Sequence, residues 1–218
     1  MRRVGTEIRR AASVIAARGG ERGLEVLVLE RGAASRFLPG YLAFPGGSVD
    51  AGDASLAERW FGSAAEAARA CAARELLEEV GLALTSRGLG EADGRSLDSL
   101  TDSPPDRERL VEVAHWVAPK RVPVRFDARY FALEAPGGLR VVPDGGETSD
   151  AWWVSPAELL EDWRAERRKL YWPTYFTMRA VASCTSVAEV LALRLDTREP
   201  GPEELERLPR STFWQDET

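Results

Sequence analysis

The sequence predicts an α/β fold: a mixed β-sheet covered by helices, with a helical extension at the C-terminal end. Three observations lead there. Short apolar segments rich in β-branched residues recur along the chain, separated by glycine turns. An alanine-rich stretch, residues 63–80, carries helical periodicity instead. Strand-like and helix-like segments are interleaved, which favours helices packed on the faces of one sheet.

Taken in order, residues 11–17 are small and apolar around Val14 and Ile15 and predict a strand. Residues 24–29 predict a second, with Gly19, Gly20 and Gly23 marking the turn between them. Residues 32–41 read as a loop, and 42–44 as a short strand that stops at Pro45-Gly46-Gly47. The helix over 63–80 ends at Gly81, a natural left-handed cap. Residues 86–106 are polar, contain Pro104-Pro105 and predict a long connection. Strands follow at 115–117, 129–133 and 151–154. Ser155-Pro156 then places a capping serine and an N1 proline at a helix start. Residues 173–193 predict further helix, broken near Thr185-Ser186, and 197–218 predict a polar tail punctuated by proline.

Bulk properties narrow the function. The 218 residues are 44% hydrophobic and 29% charged, enough chain for a sizeable core. The net charge of −6 argues against nucleic acid as a partner, so an anionic ligand must be met locally. Cys71 and Cys184 form no CxxC pair and read as reduced thiols. No apolar run approaches the ~20 residues of a membrane span, and the charged N-terminus lacks a signal segment. These features together predict a cytoplasmic protein without membrane association.

The most informative stretch is Arg74-Glu75-Leu76-Leu77-Glu78-Glu79-Val80-Gly81-Leu82. Ala73, Leu76, Leu77 and Val80 form one helical stripe, which puts Glu75, Glu78 and Glu79 on the opposite face. Carboxylates one turn apart repel each other. Their clustering makes sense around a divalent cation, and such hard oxygen donors suit Mg²⁺ or Mn²⁺. A solvated acidic face has the same spacing. The glycine turn upstream, Arg74 ahead of the acids and the capping Gly81 favour the metal reading.

These residues resemble the Nudix box, G-x5-E-x7-R-E-U-x-E-E-x-G-U, where U is aliphatic. Arg74, Glu75, Leu76, Glu78, Glu79, Gly81 and Leu82 match its second half. Phe44-Pro45-Gly46-Gly47 matches the first, with Asp53 in place of the family glutamate. Twenty residues (54–73) separate Asp53 from Arg74 where the box has seven, an insertion of 13 residues at about 53–65. Glu66 restores the seven-residue spacing and competes with Asp53 as the first acid; sequence proximity to the glycine turn favours Asp53. The insertion is expected as a surface loop. Upstream, Arg31, Arg36, Gly40 and Phe44-Pro45-Gly46-Gly47 are similar to the motif of coenzyme A diphosphatases. Arg36-Phe37-Leu38-Pro39-Gly40, the segment from Arg125 to Phe131 and Trp172-Pro173-Thr174 resemble the peroxisomal-type branch of that group.

The resemblance implies a Nudix-type α/β/α sandwich with a mixed sheet. Residues 1–196 would form one domain with C-terminal helices at about 155–193, followed by the tail at 197–218. It implies metal-dependent hydrolysis of a diphosphate linkage in a small nucleotide, with coenzyme A or acyl-coenzyme A as substrate. Glu75, Glu78, Glu79 and the carbonyl of Gly47 would hold Mg²⁺ or Mn²⁺. Arg74, held by Asp53 or Glu66, and the Gly46 and Gly81 turns would be structural. Glu147, on a loop ahead of the 151–154 strand, is the candidate distal base, with an ordinary solvated glutamate as its equal alternative. Arg31 and Arg36 are expected to grip phosphate. His115 is expected to pack in its strand. Trp152 and Trp153 should point to opposite faces, with adenine stacking a secondary role. The aromatic residues at 171–176 are expected at a helix–core contact or a homodimer interface. Two other functions stay open: a housecleaning hydrolase of ADP-ribose or NADH, and a non-catalytic nucleotide sensor.

Overall fold

A computed structural model describes residues 8–35, 37–100, 103–118, 125–195, 201–206, 208, 209 and 212. The chain opens with a hairpin of β1 (Ile8–Gly20) and β2 (Gly23–Arg31). Short strands β3 (Tyr41–Ala43) and β4 (Gly46–Ser48) follow, then helices α1 (Ala51–Phe61) and α2 (Ala67–Val80). A small hairpin, β5 (Leu82–Thr85) and β6 (Gly88–Glu91), leads to β7 (Val111–Val117), β8 (Arg125–Glu134) and β9 (Thr148–Val154). The C-terminal part holds α3 (Pro156–Arg164), β10 (Lys169–Leu170), α4 (Trp172–Val181), α5 (Val187–Ala192) and α6 (Pro202–Glu206).

The main sheet runs β10-β3-β2-β1-β8-β7, with β4 paired to β1 and β9 to β2. It is mixed: β1 pairs with β8, and β10 with β3, in parallel, whereas the other pairs are antiparallel. Strand periodicity divides the core into two layers. Val14, Leu27, Leu29, Phe131 and Leu133 face α2, where Cys71, Ala72, Leu76 and Val80 cover them. Their neighbours Ile15, Val26, Val28, Tyr130 and Ala132 face the other way, under Leu159, Trp163, Trp172, Phe176 and Val181 of the C-terminal helices. The result is the α/β/α sandwich with a C-terminal helical extension. Alanines at 68, 72 and 73 let α2 approach the sheet closely. Truncating fully buried Leu76 to alanine would cost ~2–5 kcal/mol through the cavity it leaves.

Three expectations need correction. The box insertion is not a loop but mostly helix α1, which packs through Leu56 and Ala57 on Ala70 of α2. The 86–106 connection contains β6 and a 3-10 turn, Leu97–Leu100, whose buried Leu100 packs on Leu77. Several strands are longer than their apolar cores, because backbone pairing carries polar ends such as Arg9, Arg10 and Asp127. The expected helix break near Thr185-Ser186 lies between α4 and α5, where Ser186 caps the second helix. Of the 197–218 tail, α6 is described; most of the remainder, including Trp214 to Thr218, lies outside the described residues. Among those described, no helix is long and apolar enough to cross a membrane.

Candidate active site

The rotation of α2 is fixed by Leu76 on the sheet and Leu77 on Leu100, and that rotation places its acids. They do not share one environment. Glu78 is the most open, with its side chain 42% exposed. Glu75 is 13% exposed, and Glu79 is buried, accepting a hydrogen bond from the Gly46 amide at 2.7 Å. Burial is the main force on Glu75 and Glu79. Opposed by Arg74, it pushes the Glu75 carboxyl up to about 7. Burial, helped by the negative charge of Glu75, pushes Glu79 up to about 8. Both therefore gain from a cation near them.

Arg74 is the hub of the acids. It meets Asp53 bidentately, Nε to Oδ1 at 2.8 Å and Nη2 to Oδ2 at 3.1 Å. Its Nη1 donates to Glu75 at 2.9 Å and to Glu78 at 2.7 Å. Burial opposes the charge on Arg74, but these partners outweigh it and keep the guanidinium protonated. Glu66, the competitor in sequence, instead pairs with Arg69 and, at 3.3 Å, with Arg107. Asp53 reaches Arg74 because it sits at the third position of α1, where it also closes a capping box with Asp50. Among the described residues no three His, Cys, Asp or Glu side chains form a preassembled metal group. Arg74 and the Gly46 amide take up the carboxylates.

The glycine turn is required by proximity. A Cβ on Gly46 would strike the backbone carbonyl of Ala12 in the paired strand β1. A Cβ on Gly47 would strike the Glu75 carboxylate. The buried Cys71 thiol lies 3.7 Å from the Gly47 carbonyl and 3.5 Å from that of Ser48, so it backs the turn. Gly81 ends α2 in the left-handed region at φ 68°, its N–H bonded to Leu77 O at 3.1 Å. Arg95, which the sequence reading missed, donates from Nη1 to the Leu77 and Glu78 carbonyls and from Nη2 to Val142 O. It ties the helix end to the loop that leads to Glu147.

A cleft of about 470 Å³ opens beside the turn. Gly46, Gly47, Arg74 and Glu75 line it together with Arg31 and Glu147. Glu147 is exposed, and its backbone carbonyl accepts from the Gly32 amide at 2.7 Å. Arg31 does not present a free guanidinium: Nε donates to Phe37 O and Nη2 to Ser35 Oγ, both at 2.8 Å. It braces its own loop, in which Leu38 is held at φ 54°, a conformation that branched side chains rarely adopt. Arg36 lies outside the described residues.

Other parts of the cleft were not visible as a site in the sequence. Arg9, Ala11 and Ser13 of β1 line it, as do Phe126, Ala128 and Tyr130 of β8. Phe37 packs on Phe126 at 5.3 Å and on Tyr171 at 5.7 Å between ring centroids, giving an aromatic wall. Thus Tyr171 and Trp172 reach the cleft, while Phe176 stays in the core. His115 pairs with Asp127 across β7 and β8, away from the acids. Trp152 and Trp153 do point to opposite faces, each half-buried, under Arg168 at 5.0 Å and Arg18 at 4.2 Å. Neither lines the cleft.

Comparison with known proteins bears on this geometry. The NUDIX domain family model matches residues 7–172. A Caenorhabditis elegans protein named as a nudix hydrolase is 29% identical over 168 residues, which cover 71% of this chain and 54% of that protein. The chain thus spans about half the length of that curated relative. A solved NUDIX hydrolase from Alicyclobacillus acidocaldarius superposes with a TM-score of 0.72 at 27% identity, covering 89% of this chain and 99% of that one.

Proposed function

Starting from the fact that this chain belongs to the Nudix family, we propose that it hydrolyses the diphosphate linkage of a nucleoside diphosphate derivative, and that the derivative is coenzyme A or an acyl-coenzyme A. One observation carries the reading. Arg31, Phe37 and Leu38, from the segment with the Arg31-to-Gly40 spacing, line one cleft with the box residues Gly47, Arg74 and Glu75. A substrate lying there meets Glu75 and the glycine turn at one part and an aromatic wall at another, as a nucleotide joined to a longer arm requires.

The donor set fits a hard divalent cation. Glu75, Glu78 and Glu79 offer carboxylate oxygens, and burial makes the charge of Glu75 and Glu79 costly until a cation offsets it. Glu75, Glu78, Glu79 and the Gly47 carbonyl would hold Mg²⁺ or Mn²⁺, which when bound neutralises diphosphate charge and acidifies water. Asp53 keeps Arg74 in place, and Arg74 in turn orients Glu75 and Glu78. The Gly46 amide orients Glu79. Glu147 accepts the proton of the attacking water as that water's oxygen bonds to phosphorus. The bridging oxygen departs with one phosphate, so two phosphate monoesters result.

The test is a substrate panel with Mg²⁺, its products identified by mass. Turnover of coenzyme A to a 4′-phosphopantetheine and adenosine 3′,5′-bisphosphate is the expected result. Faster turnover of ADP-ribose or NADH would replace the substrate assignment. Nucleotide binding without turnover of any compound would replace hydrolysis with sensing.

A further inference from the structure

Resting on the reading that the cleft takes a nucleotide, we infer that Arg9 binds a phosphate of the substrate that lies outside the scissile diphosphate. The side chains of Arg9, Ala11 and Ser13 alternate onto one face of β1, and all three line the cleft. Ser13 is paired in register with Gly46, so it marks the end of the cleft at the box turn. Arg9 lies four residues back, ~13 Å along the strand at ~3.3 Å per residue. Its parallel-register partner is Phe126, the ring against which Phe37 packs at 5.3 Å. The Arg9 guanidinium therefore emerges beside the aromatic wall, at a distance from the acids.

Its availability distinguishes it from the other described arginines of the cleft. Arg31 spends two nitrogens on its own loop, and Arg74 is committed to Asp53, Glu75 and Glu78. Among the described residues the Arg9 guanidinium makes no hydrogen bond or ion pair. An uncommitted guanidinium at the edge of an aromatic surface presents its planar fork to a phosphate while the rings cover an adjoining base. A nucleotide whose ribose carries its own phosphate has both groups within one unit. A substrate with only the diphosphate would leave Arg9 unused.

The experiment is calorimetric binding in the presence of a chelator, so that no turnover is involved. Adenosine 3′,5′-bisphosphate and AMP are compared on the wild type, Arg9→Ala and Arg9→Lys. The wild type should favour the bisphosphate about ten- to a hundredfold, as for one charge-assisted contact. Arg9→Ala should abolish the preference, and Arg9→Lys should keep part of it. No preference in the wild type, or a preference surviving in Arg9→Ala, overturns the inference. Hydrolysis of coenzyme A is measured in parallel. A wild type that leaves coenzyme A intact but loses its bisphosphate preference on Arg9→Ala defeats the coenzyme A reading alone, and Arg9 keeps its assignment.

Discussion

Asp53 engages Arg74 through both carboxylate oxygens, at 2.8 Å and 3.1 Å, with no solvent exposure of the aspartate. Removing Asp53 takes a bidentate charge-assisted contact from Arg74, worth up to ~3 kcal/mol, and opens the capping box of α1, while Glu75 and Glu78 still pair the guanidinium. Asp53→Ala is therefore expected to lower the unfolding midpoint sharply and to reduce activity. Glu66→Ala, whose partners Arg69 and Arg107 lie away from the acids, should do much less. Thermal unfolding and turnover of both variants check this; the reverse order would give the role to Glu66.

Adjacent glycines should fail in different ways. Gly46→Ala drives a methyl into the backbone of β1, which cannot yield cheaply, so folding stability should fall. Gly47→Ala first meets the far end of the Glu75 side chain rather than backbone, so the protein should stay folded while Glu75 is displaced and kcat drops. Chemical denaturation beside steady-state kinetics separates the two. Similar stability losses in both variants would contradict the contrast.

Loss of a box carboxylate should be felt in kcat. Glu78→Gln and Glu79→Gln are each expected to lower kcat at least ~10²-fold, since metal-held charge acts most strongly in the transition state. Near-normal kcat in either variant at saturating Mg²⁺ would remove that residue from the metal set.

Stability without metal should depend on pH in a defined direction. In the folded chain Glu75 and Glu79 keep their protons up to about 7 and 8, against 4.5 when unperturbed. The folded state thus binds more protons than the unfolded state between about 4.5 and 8. In a chelator, the contribution of these groups to stability is full below that window and is lost as pH rises through it. Cation binding displaces those protons, so Mg²⁺ should raise the unfolding midpoint more at pH 8 than at pH 5. Glu79→Gln should flatten both effects. An equal Mg²⁺ shift at the two pH values would argue against these carboxylates as ligands.

Much of the sheet and the box helix was legible because local periodicity reports burial directly. Val14 to Ala17 and Val26 to Leu29 alternate between the two core layers as a two-residue repeat requires. The helix over 67–80 shows both its apolar stripe and its cap. What escaped depends on tertiary pairing. Arg9 looks like a solvated terminal charge until the parallel register sets it against Phe126. Phe37, Phe126 and Tyr171 are remote in sequence and meet only in the folded chain. The loop contacts of Arg31, to the Phe37 carbonyl and the Ser35 hydroxyl, are likewise not encoded in spacing. The insertion read as loop because α1 shows little in its pattern beyond the Asp50 and Asp53 capping pair and a narrow contact with α2.

That capping pair divides the insertion into a part that must be conserved in shape and a part that is free to drift. Asp53 answers both to the Asp50 amide at 2.9 Å and to Arg74, so the first turn of α1 is fixed from two directions. Ser55 and Arg59 point to solvent, and the helix ends at Gly62 in the left-handed region, with Ser63 capping the next turn. Extra chain spliced between Gly62 and Ser63 would leave the grip on Arg74 untouched. The outer turns of α1 thus behave as a port at which new surface can be added to the molecule without retuning its chemistry.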